Sequence, residues 1–235
     1  DQDYSLQQFE FGLTYELSDM WSLDAFANFG KIELDWLADP VLDAARVRQS
    51  LIVNTFDRSG QTCLNPANGC VPLNVYGSDN LAPEAIEFIR TRLDSQNSSK
   101  ILTVNAVITG NTSEFFEMPG GAGPLGDALG IEYLERSQDW SIDERVENNE
   151  LLYVGFFPTA IDRELSRKSG FLELVVPLLQ DLPLASFMEL ELAARYTDHE
   201  TIGGTTSWKA ALSWYPLEDL QFRTSLNQAV RAPSI

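Results

Sequence analysis

Apolar and polar side chains alternate near the start of the chain. Odd positions from Phe9 to Leu17 carry Phe, Leu or Tyr, whereas the even positions between them carry Glu, Thr or Gly. A period of two places successive side chains on opposite faces of a β-strand. The pattern returns at Trp21, after the short connection 18–20, so residues 9–36 predict two strands that form a hairpin.

Alternation of the same kind recurs along the rest of the chain. It predicts further strands at 102–108, 129–133, 172–176, 188–196, 208–214 and 220–226. No segment has a competing long helical period. The sequence therefore predicts an all-β fold of about eight strands joined in sequence order as an antiparallel up-and-down sheet.

The connections between these strands alternate in length. Short connections fall at 18–20, 118–127, 180–186 and 216–219, the connection 200–206 is modest, and long ones fall at 37–99 and 144–168. Successive connections of an up-and-down sheet lie at opposite rims, and outer-membrane barrels combine short periplasmic turns with long extracellular loops. Inside the longest loop, residues 81–90 predict a short helix with Pro83 in its first turn.

Alternation alone fits both a membrane barrel with an apolar exterior and a soluble barrel with an apolar interior. The position of the aromatic residues favours the membrane barrel, because amphipathic rings near strand ends can lie at the level of the lipid headgroups. These residues are Tyr15, Trp21, Trp36, Trp140, Tyr196, Trp208, Trp214 and Tyr215. Charged residues in the middle of strands fit a hydrated lumen and a soluble exterior equally well.

The net charge and the hydropathy of the chain exclude two classes of protein, those that bind nucleic acid and those that span a membrane with a helix. Sixteen basic and 35 acidic residues give a formal net charge of −19, which repels phosphate backbones and anionic lipid, so we expect no nucleic-acid partner. No apolar run reaches the roughly 18 residues that a transmembrane helix needs. A membrane span, if there is one, has to be made of strands.

The two cysteines, Cys63 and Cys70, lie close together in a segment rich in Asn, Gly and Pro. We interpret them as a disulfide, which indicates an oxidising compartment. A two-thiolate metal site is the alternative, but the one histidine, His199, is distant and no second cysteine pair supplies the remaining ligands. Free thiols are the other alternative.

Motifs for catalysis or for a bound cofactor are weak. His199 is the single histidine and stands at a predicted strand end, so we interpret it as a rim residue and not as a catalytic base. The glycine-rich segment 120–126 has no following Lys-Ser or Lys-Thr and is interpreted as a turn. The acidic cluster at 139–147 lacks the spacing of an EF-hand. We therefore expect no enzyme, no metal and no cofactor.

The last third of the chain resembles TonB-dependent receptors in the order and spacing of its residues. The resemblance is carried by Gly170 to Leu179, by Leu190 to Asp198, by Trp208, Trp214 and Pro216, and by Arg231 to Ile235. Upstream, the segments 70–77 and 118–121 and the strand Gly130-Ile131-Glu132-Tyr133 look like parts of the same family. Roughly everything from Cys63 onward is covered.

The resemblance implies a larger transmembrane barrel of about 22 strands with a plug in its lumen. Residues 1–235 would then be a partial barrel domain from the middle of the barrel, with the plug and the remaining strands outside this chain. The family also implies the outer membrane of a Gram-negative bacterium, contact with lipid, and coupling to the TonB-ExbB-ExbD complex through a segment outside the chain.

The function implied is active uptake of a scarce nutrient, which could be an oligosaccharide, siderophore-bound iron or cobalamin. Aromatic residues in the long loops slightly favour an oligosaccharide, since their rings could stack on sugars. The candidate ligand-binding residues are Tyr76, Trp140, Tyr153, Phe156 and Phe157. The alternative function is a secreted soluble β-rich binding module, such as a carbohydrate-binding sandwich.

Overall fold

The computed structural model describes residues 1–54, 62–78, 80–119, 121–152 and 160–231. The strands in these ranges are β1 Gln2–Glu16, β2 Trp21–Asp43, β3 Arg90–Asn111, β4 Glu117–Met118, β5 Gly123–Pro124, β6 Gly126–Ile142, β7 Leu151–Leu152, β8 Ile161–Leu182, β9 Ala185–His199, β10 Gly203–Leu217 and β11 Leu220–Gln228. The helices are α1 Ala44–Leu51, α2 Pro83–Ile89 and α3 Glu144–Glu147, with one 3₁₀ turn at Ala67–Gly69.

The long strands form one sheet in sequence order, β1-β2-β3-β6-β8-β9-β10-β11, and β7 joins it by pairing with β2. The registers of β8 with β9, of β9 with β10 and of β10 with β11 are antiparallel. Strands β4 and β5 form a separate small hairpin between β3 and β6. The predicted all-β class, the eight long strands and their up-and-down order are confirmed.

Several predicted boundaries are wrong because the strands extend well beyond the alternating segments. The expected loop at 37–99 is strand at both ends, since β2 continues to Asp43 and β3 begins at Arg90. Likewise, β8 begins at Ile161 within the expected loop at 144–168. Apart from Leu93, the residues from Arg90 to Ser99 are polar, and ladder hydrogen bonds hold a strand without any apolar periodicity.

The helices lie in the long connections. The predicted helix at 81–90 is confirmed as α2, with Pro83 at its first position. Helix α1 was not predicted; its N-cap is Asp43, whose side chain accepts hydrogen bonds from the backbone N–H groups of Ala45 and Arg46. Among the described residues, no helix is both long and apolar enough to cross a membrane.

The chain divides into two compact units, each made of several segments. Unit 1 comprises Asp1–Leu6, Ile32–Ser98 and Asp139–Asp162. Its small core consists of Val41, Leu93 and Leu151, against which Ala38 and Val146 pack. The β2–β7 pairing, Leu42 with Leu152 and Asp43 with Leu151, places strand residues around this core.

Unit 2 comprises Gln7–Lys31, Ser99–Gln138 and Arg163–Ile235, and its strands have two contrasting faces. Residues that oppose each other directly across a ladder share a face. Leu192 opposes Leu174 and Ala210, whereas Glu191 opposes Val175 and Ala211. We call the first side the apolar face; it carries Leu172, Leu174, Val176, Leu190, Leu192, Ala210, Leu212, Phe222 and Leu226. We call the other side the polar face; it carries Glu173, Glu189, Glu191, Arg195, Lys209 and Arg223.

The apolar face is open to its surroundings. Leu172 is 42% exposed, Leu192 36%, Phe222 52% and Leu226 67%. On the polar face, by contrast, charged side chains bind each other, and Lys209 Nζ lies 2.5 Å from Glu191 Oε1. The separation of leucines from charges is the one that the sequence pattern predicts.

Candidate functional site: a charged recess on the polar face of unit 2

A concave recess of about 790 Å³ opens on the polar face of unit 2. Strands β3, β6, β8, β9 and β10 contribute to its lining, together with the connection after β9 and residues that follow β11. His199, the last residue of β9, and Thr201 are among the residues that line the recess. Because the four strands β8 to β11 are antiparallel, the end of β9 at His199 is opposite to the tight turns that join β8 to β9 and β10 to β11.

The floor of the recess is built around Glu132. One carboxylate oxygen, Oε1, accepts hydrogen bonds from Arg195 Nη2 at 2.7 Å and from Arg167 Nη2 at 3.2 Å. The Arg195 guanidinium also lies over the ring of Phe171, 5.5 Å from its centroid, in a cation–π contact. The three strands β6, β8 and β9 are therefore joined on this face by one carboxylate and two guanidinium groups.

Gly130 makes this arrangement possible. The Phe171 ring lies where a Cβ on residue 130 would be, so a side chain there would collide with the ring. A glycine in a strand interior commonly marks such a close approach. The segment Gly130-Ile131-Glu132-Tyr133 thus has a physical basis: Gly130 admits the ring, the ring supports Arg195, and Glu132 binds Arg195.

Two hydroxyl groups, one on β8 and one on β9, lie on the same face of the sheet as the floor. Ser169 and Thr197 oppose each other across the β8–β9 ladder, and their side-chain oxygens are 3.0 Å apart. Both residues are buried, at 7% and 9% exposure. Their hydrogen bond satisfies both groups in the part of the sheet next to Arg167 and Arg195.

The remaining cations of the recess have no partner among the residues that the structure describes. Lys100, Arg136 and Arg231 line it, and the side chains of all three are exposed. Among the residues that the structure describes, none of the three forms a side-chain hydrogen bond or ion pair. The recess therefore holds positive charge that the described residues of this chain do not neutralise through an ion pair.

A protein-family model described as TonB dependent receptor-like, β-barrel matches residues 1–235, which is the whole chain. The chain belongs to this family. No match is found among curated proteins. Family membership identifies the protein in general terms as an outer-membrane receptor or transporter of Gram-negative bacteria, and it implies coupling to TonB.

In this TonB-dependent receptor domain, two of the five candidate ligand-binding aromatics, Tyr76 and Trp140, lie within the described residues. Tyr76 is 83% exposed, and its backbone is held by Asn74 Oδ1, which accepts from the Tyr76 N–H, and by Asn80 Nδ2, which donates to the Tyr76 carbonyl. It remains a candidate contact residue. Tyr153, Phe156 and Phe157 lie outside the described residues.

The loop position expected for Trp140 is wrong. Trp140 belongs to β6, which continues to Ile142, and its side chain is half-buried. Its indole N–H donates to Ser95 Oγ at 2.8 Å, and Ser95 Oγ donates in turn to the Ser141 carbonyl at 3.1 Å. These bonds tie the indole to the β3–β6 pairing, as expected for a structural tryptophan.

The disulfide between Cys63 and Cys70 is confirmed, with an S–S distance of 2.05 Å. The alternatives of free thiols and of a two-thiolate metal site are therefore wrong. Next to it, the Leu73 N–H donates to the Ser50 carbonyl at 3.0 Å, which links the segment after the bridge to helix α1. No group of three or more His, Cys, Asp or Glu residues suited to a metal ion occurs in the described ranges.

The acidic segment after β6 contains the start of helix α3, and Arg145 binds the residue that caps this helix. Asp143 caps α3, and Arg145 Nε donates to Asp143 Oδ1 at 2.9 Å. Arg145 also donates to Thr91 Oγ1 at 2.9 Å and to the Arg92 carbonyl at 2.6 Å, both at the start of β3. Hydrogen bonds from Arg145 lower the pKa of Asp143, although partial burial opposes the shift.

Sequence reasoning found part of the recess. The family resemblance includes Gly130 and Glu132, and it includes the segment Leu190 to Asp198, which contains Arg195. Lys100, Arg136, Arg167 and Arg231 were not identified as members of one site. The even positions 132, 134, 136 and 138 of β6 all line the recess, so extending the period of two beyond residue 133 would have placed Arg136 beside Glu132.

Proposed function

We propose that the protein is a TonB-dependent transporter that binds a scarce nutrient at the outer membrane and imports it with energy from the TonB-ExbB-ExbD complex. In this proposal residues 1–235 contribute strands to a larger barrel whose lumen holds a plug. The nutrient is an oligosaccharide, siderophore-bound iron or cobalamin. The observation that carries the proposal is the family match over the whole chain.

The two faces of unit 2 support a position in the membrane. Leucines and aromatic residues form an exposed row on one side of β8 to β11, whereas ion pairs and hydroxyl groups occupy the other. An outward apolar row in contact with lipid and a polar interior is the arrangement of transmembrane barrels. The soluble binding module, the alternative from the sequence, would leave the apolar row of these described strands in water.

The ligand would enter from the side of the long connections. Tyr76 in the 70–78 segment is the most exposed of the large hydrophobic side chains in the described ranges, and its ring is free to stack on a sugar or another flat ligand. In this proposal the disulfide between Cys63 and Cys70 lies outside the cell, where no reductant opens it, and it joins the two ends of the segment 63–70.

Uptake assays in cells that produce the protein test this proposal. Labelled oligosaccharide, ferric siderophore and cobalamin would be offered to wild-type cells, to cells without this protein and to cells without TonB. We expect uptake of one nutrient class to require both the protein and TonB. Uptake that continues without TonB would contradict energy coupling, and the absence of any difference for all three classes would contradict the transport function.

A further inference from the structure

The recess on the polar face concentrates positive charge in an acidic protein. Five of the 16 Lys and Arg residues of the chain line it, whereas a single Asp or Glu lines it among the residues that the structure describes. The formal balance is five positive charges against one negative charge, in a chain of net charge −19. The cations are Lys100, Arg136, Arg167, Arg195 and Arg231, and the single carboxylate is Glu132.

Elsewhere in the described chain, many cations are paired with carboxylates. The pairs are Arg46 with Asp43, Arg90 with Asp39 and Glu87, Arg145 with Asp143, and Lys209 with Glu191. With more than twice as many acidic as basic residues, partners for a cation are abundant in this protein. Unpaired cations also occur outside the recess, Arg223 among them, but the recess brings three cations without a partner among the described residues together around one cavity.

Glu132 does not use the full hydrogen-bonding capacity of the two floor arginines. Arg195 and Arg167 each donate one Nη2 bond to the same oxygen of this carboxylate. The Nε of Arg167 is buried and has no hydrogen-bond partner among the described residues. Guanidinium groups bind carboxylates and phosphates through several parallel N–H donors, so this pair has donors left for a second anion.

The size of the recess matches a small molecule. Its volume of about 790 Å³ lies within the range of roughly 300 to 1,000 Å³ that is typical of ligand pockets. Hydroxyl groups of Thr197, Thr205 and Ser207 add neutral hydrogen-bonding groups to the lining. Charged lining residues act over about 8 Å at physiological ionic strength, so the local cations dominate over the net charge of the chain inside the recess.

From these observations we propose that the recess binds a small molecule with carboxylate or phosphate groups. This inference rests on the proposed transport function in one respect, because it makes the imported nutrient an anion. Lys100, Arg136 and Arg231 would contact the anion directly, and Arg167 and Arg195 would supply the donors of the floor. Glu132 orients the two floor arginines through the hydrogen bonds that its Oε1 accepts.

Calorimetric titration of the intact protein in detergent micelles with citrate, inorganic phosphate and neutral maltotriose tests this site. Lys100→Gln and Arg136→Gln each remove one unpaired cation without breaking a contact inside the described protein. Arg223→Gln is the matched control, since Arg223 lies on the same face in β11, has no side-chain partner among the described residues and does not line the recess.

We expect citrate or phosphate to bind, and each recess variant to weaken the affinity by about tenfold. Arg223→Gln should change it by less than about twofold, because an exposed charge at a distance is screened. Preference for citrate or phosphate identifies the anionic group. The site is refuted if neither anion binds at millimolar concentration, if maltotriose binds equally well, or if all three variants weaken binding alike.

The uptake assay separates this inference from the proposed function. TonB-dependent uptake of a neutral nutrient, together with no anion binding, would refute the anion site and leave the transport function standing. Anion binding that depends on Lys100 and Arg136, without TonB-dependent uptake of any nutrient, would refute the transport function and leave the anion site standing.

Discussion

Replacement of Leu192 by Arg tests which face of the sheet meets lipid. Leu192 is the eighth of the 15 residues of β9, so seven residues lie on either side of it in the strand. With a rise of about 3.4 Å per residue and a tilt of about 40°, each strand end is about 18 Å away along the membrane normal. The apolar band of such barrels is about 25 Å tall, so a strand centred on it places Leu192 near the midplane.

An arginine on the lipid face near the midplane costs about 2 to 4 kcal/mol of folding free energy. The matched control is Ala193→Arg, which introduces the same side chain one position further on and therefore on the polar face. Ala193 opposes Glu173 in β8 and Lys209 in β10, so the new charge meets one attractive and one repulsive partner. We expect this variant to change stability by less than about 1 kcal/mol.

Equilibrium unfolding by guanidinium in phospholipid vesicles, followed by tryptophan fluorescence, measures both free energies. The wild-type protein and the two variants would be compared under one set of conditions. Equal costs for Leu192→Arg and Ala193→Arg would refute the assignment of faces. A larger cost for Ala193→Arg would indicate that the charged side faces lipid, against the proposed wall.

Three further predictions concern other parts of the chain. Gly130→Ala should displace the Phe171 ring and destabilise the protein by about 1 to 3 kcal/mol in the same unfolding assay. Cys70→Ser should remove about 2 to 3 kcal/mol of loop-closure stabilisation and accelerate proteolysis at 62–78, whereas a non-reducing peptide map of the wild type should keep the two cysteine peptides joined. Asp143→Asn should lose about 1 to 2 kcal/mol at neutral pH through its bonds with Arg145. The pKa of Asp143 is lowered from 3.8 in the folded protein, so this stabilisation is present above about pH 4 and is lost as the pH falls through the lowered pKa. In unfolding titrations at such low pH, the difference in stability between Asp143→Asn and the wild type should therefore shrink.

Strand order and class could be predicted because they depend on local features of the sequence. Each long strand contains at least five residues with a period of two, and the tight connections are short enough to force neighbouring strands to pair. The disulfide was predictable for a similar reason, since Cys63 and Cys70 are close in the chain and no other cysteine competes. The start of α2 could be predicted from Pro83, because proline favours the first turn of a helix.

The outer parts of the strands and the charged recess were harder to predict, because they depend on pairing between distant segments. Arg90 to Ser99 has no apolar alternation, so its strand conformation comes from partners far along the chain. Glu132 lies 35 residues before Arg167 and 63 before Arg195. Which carboxylate meets which guanidinium follows from the register of β6, β8 and β9, and a one-residue shift would place them on opposite faces.

The exposure of the apolar face favours a membrane environment over water. In the described strands of unit 2, the apolar-face residues Leu172, Leu192, Phe222 and Leu226 are between 36% and 67% exposed. Each such side chain would gain free energy by leaving water, and a continuous row of them on a soluble protein would promote association. Lipid removes this cost, because hydrocarbon is already apolar.

The polar face has the opposite requirement. The side chains of Lys209 and Glu191, which form an ion pair there, remain 41% and 37% exposed. Such a pair would be costly in hydrocarbon, whereas it costs little in contact with water. The two faces of the same strands thus require different solvents, which a membrane wall with a hydrated interior provides.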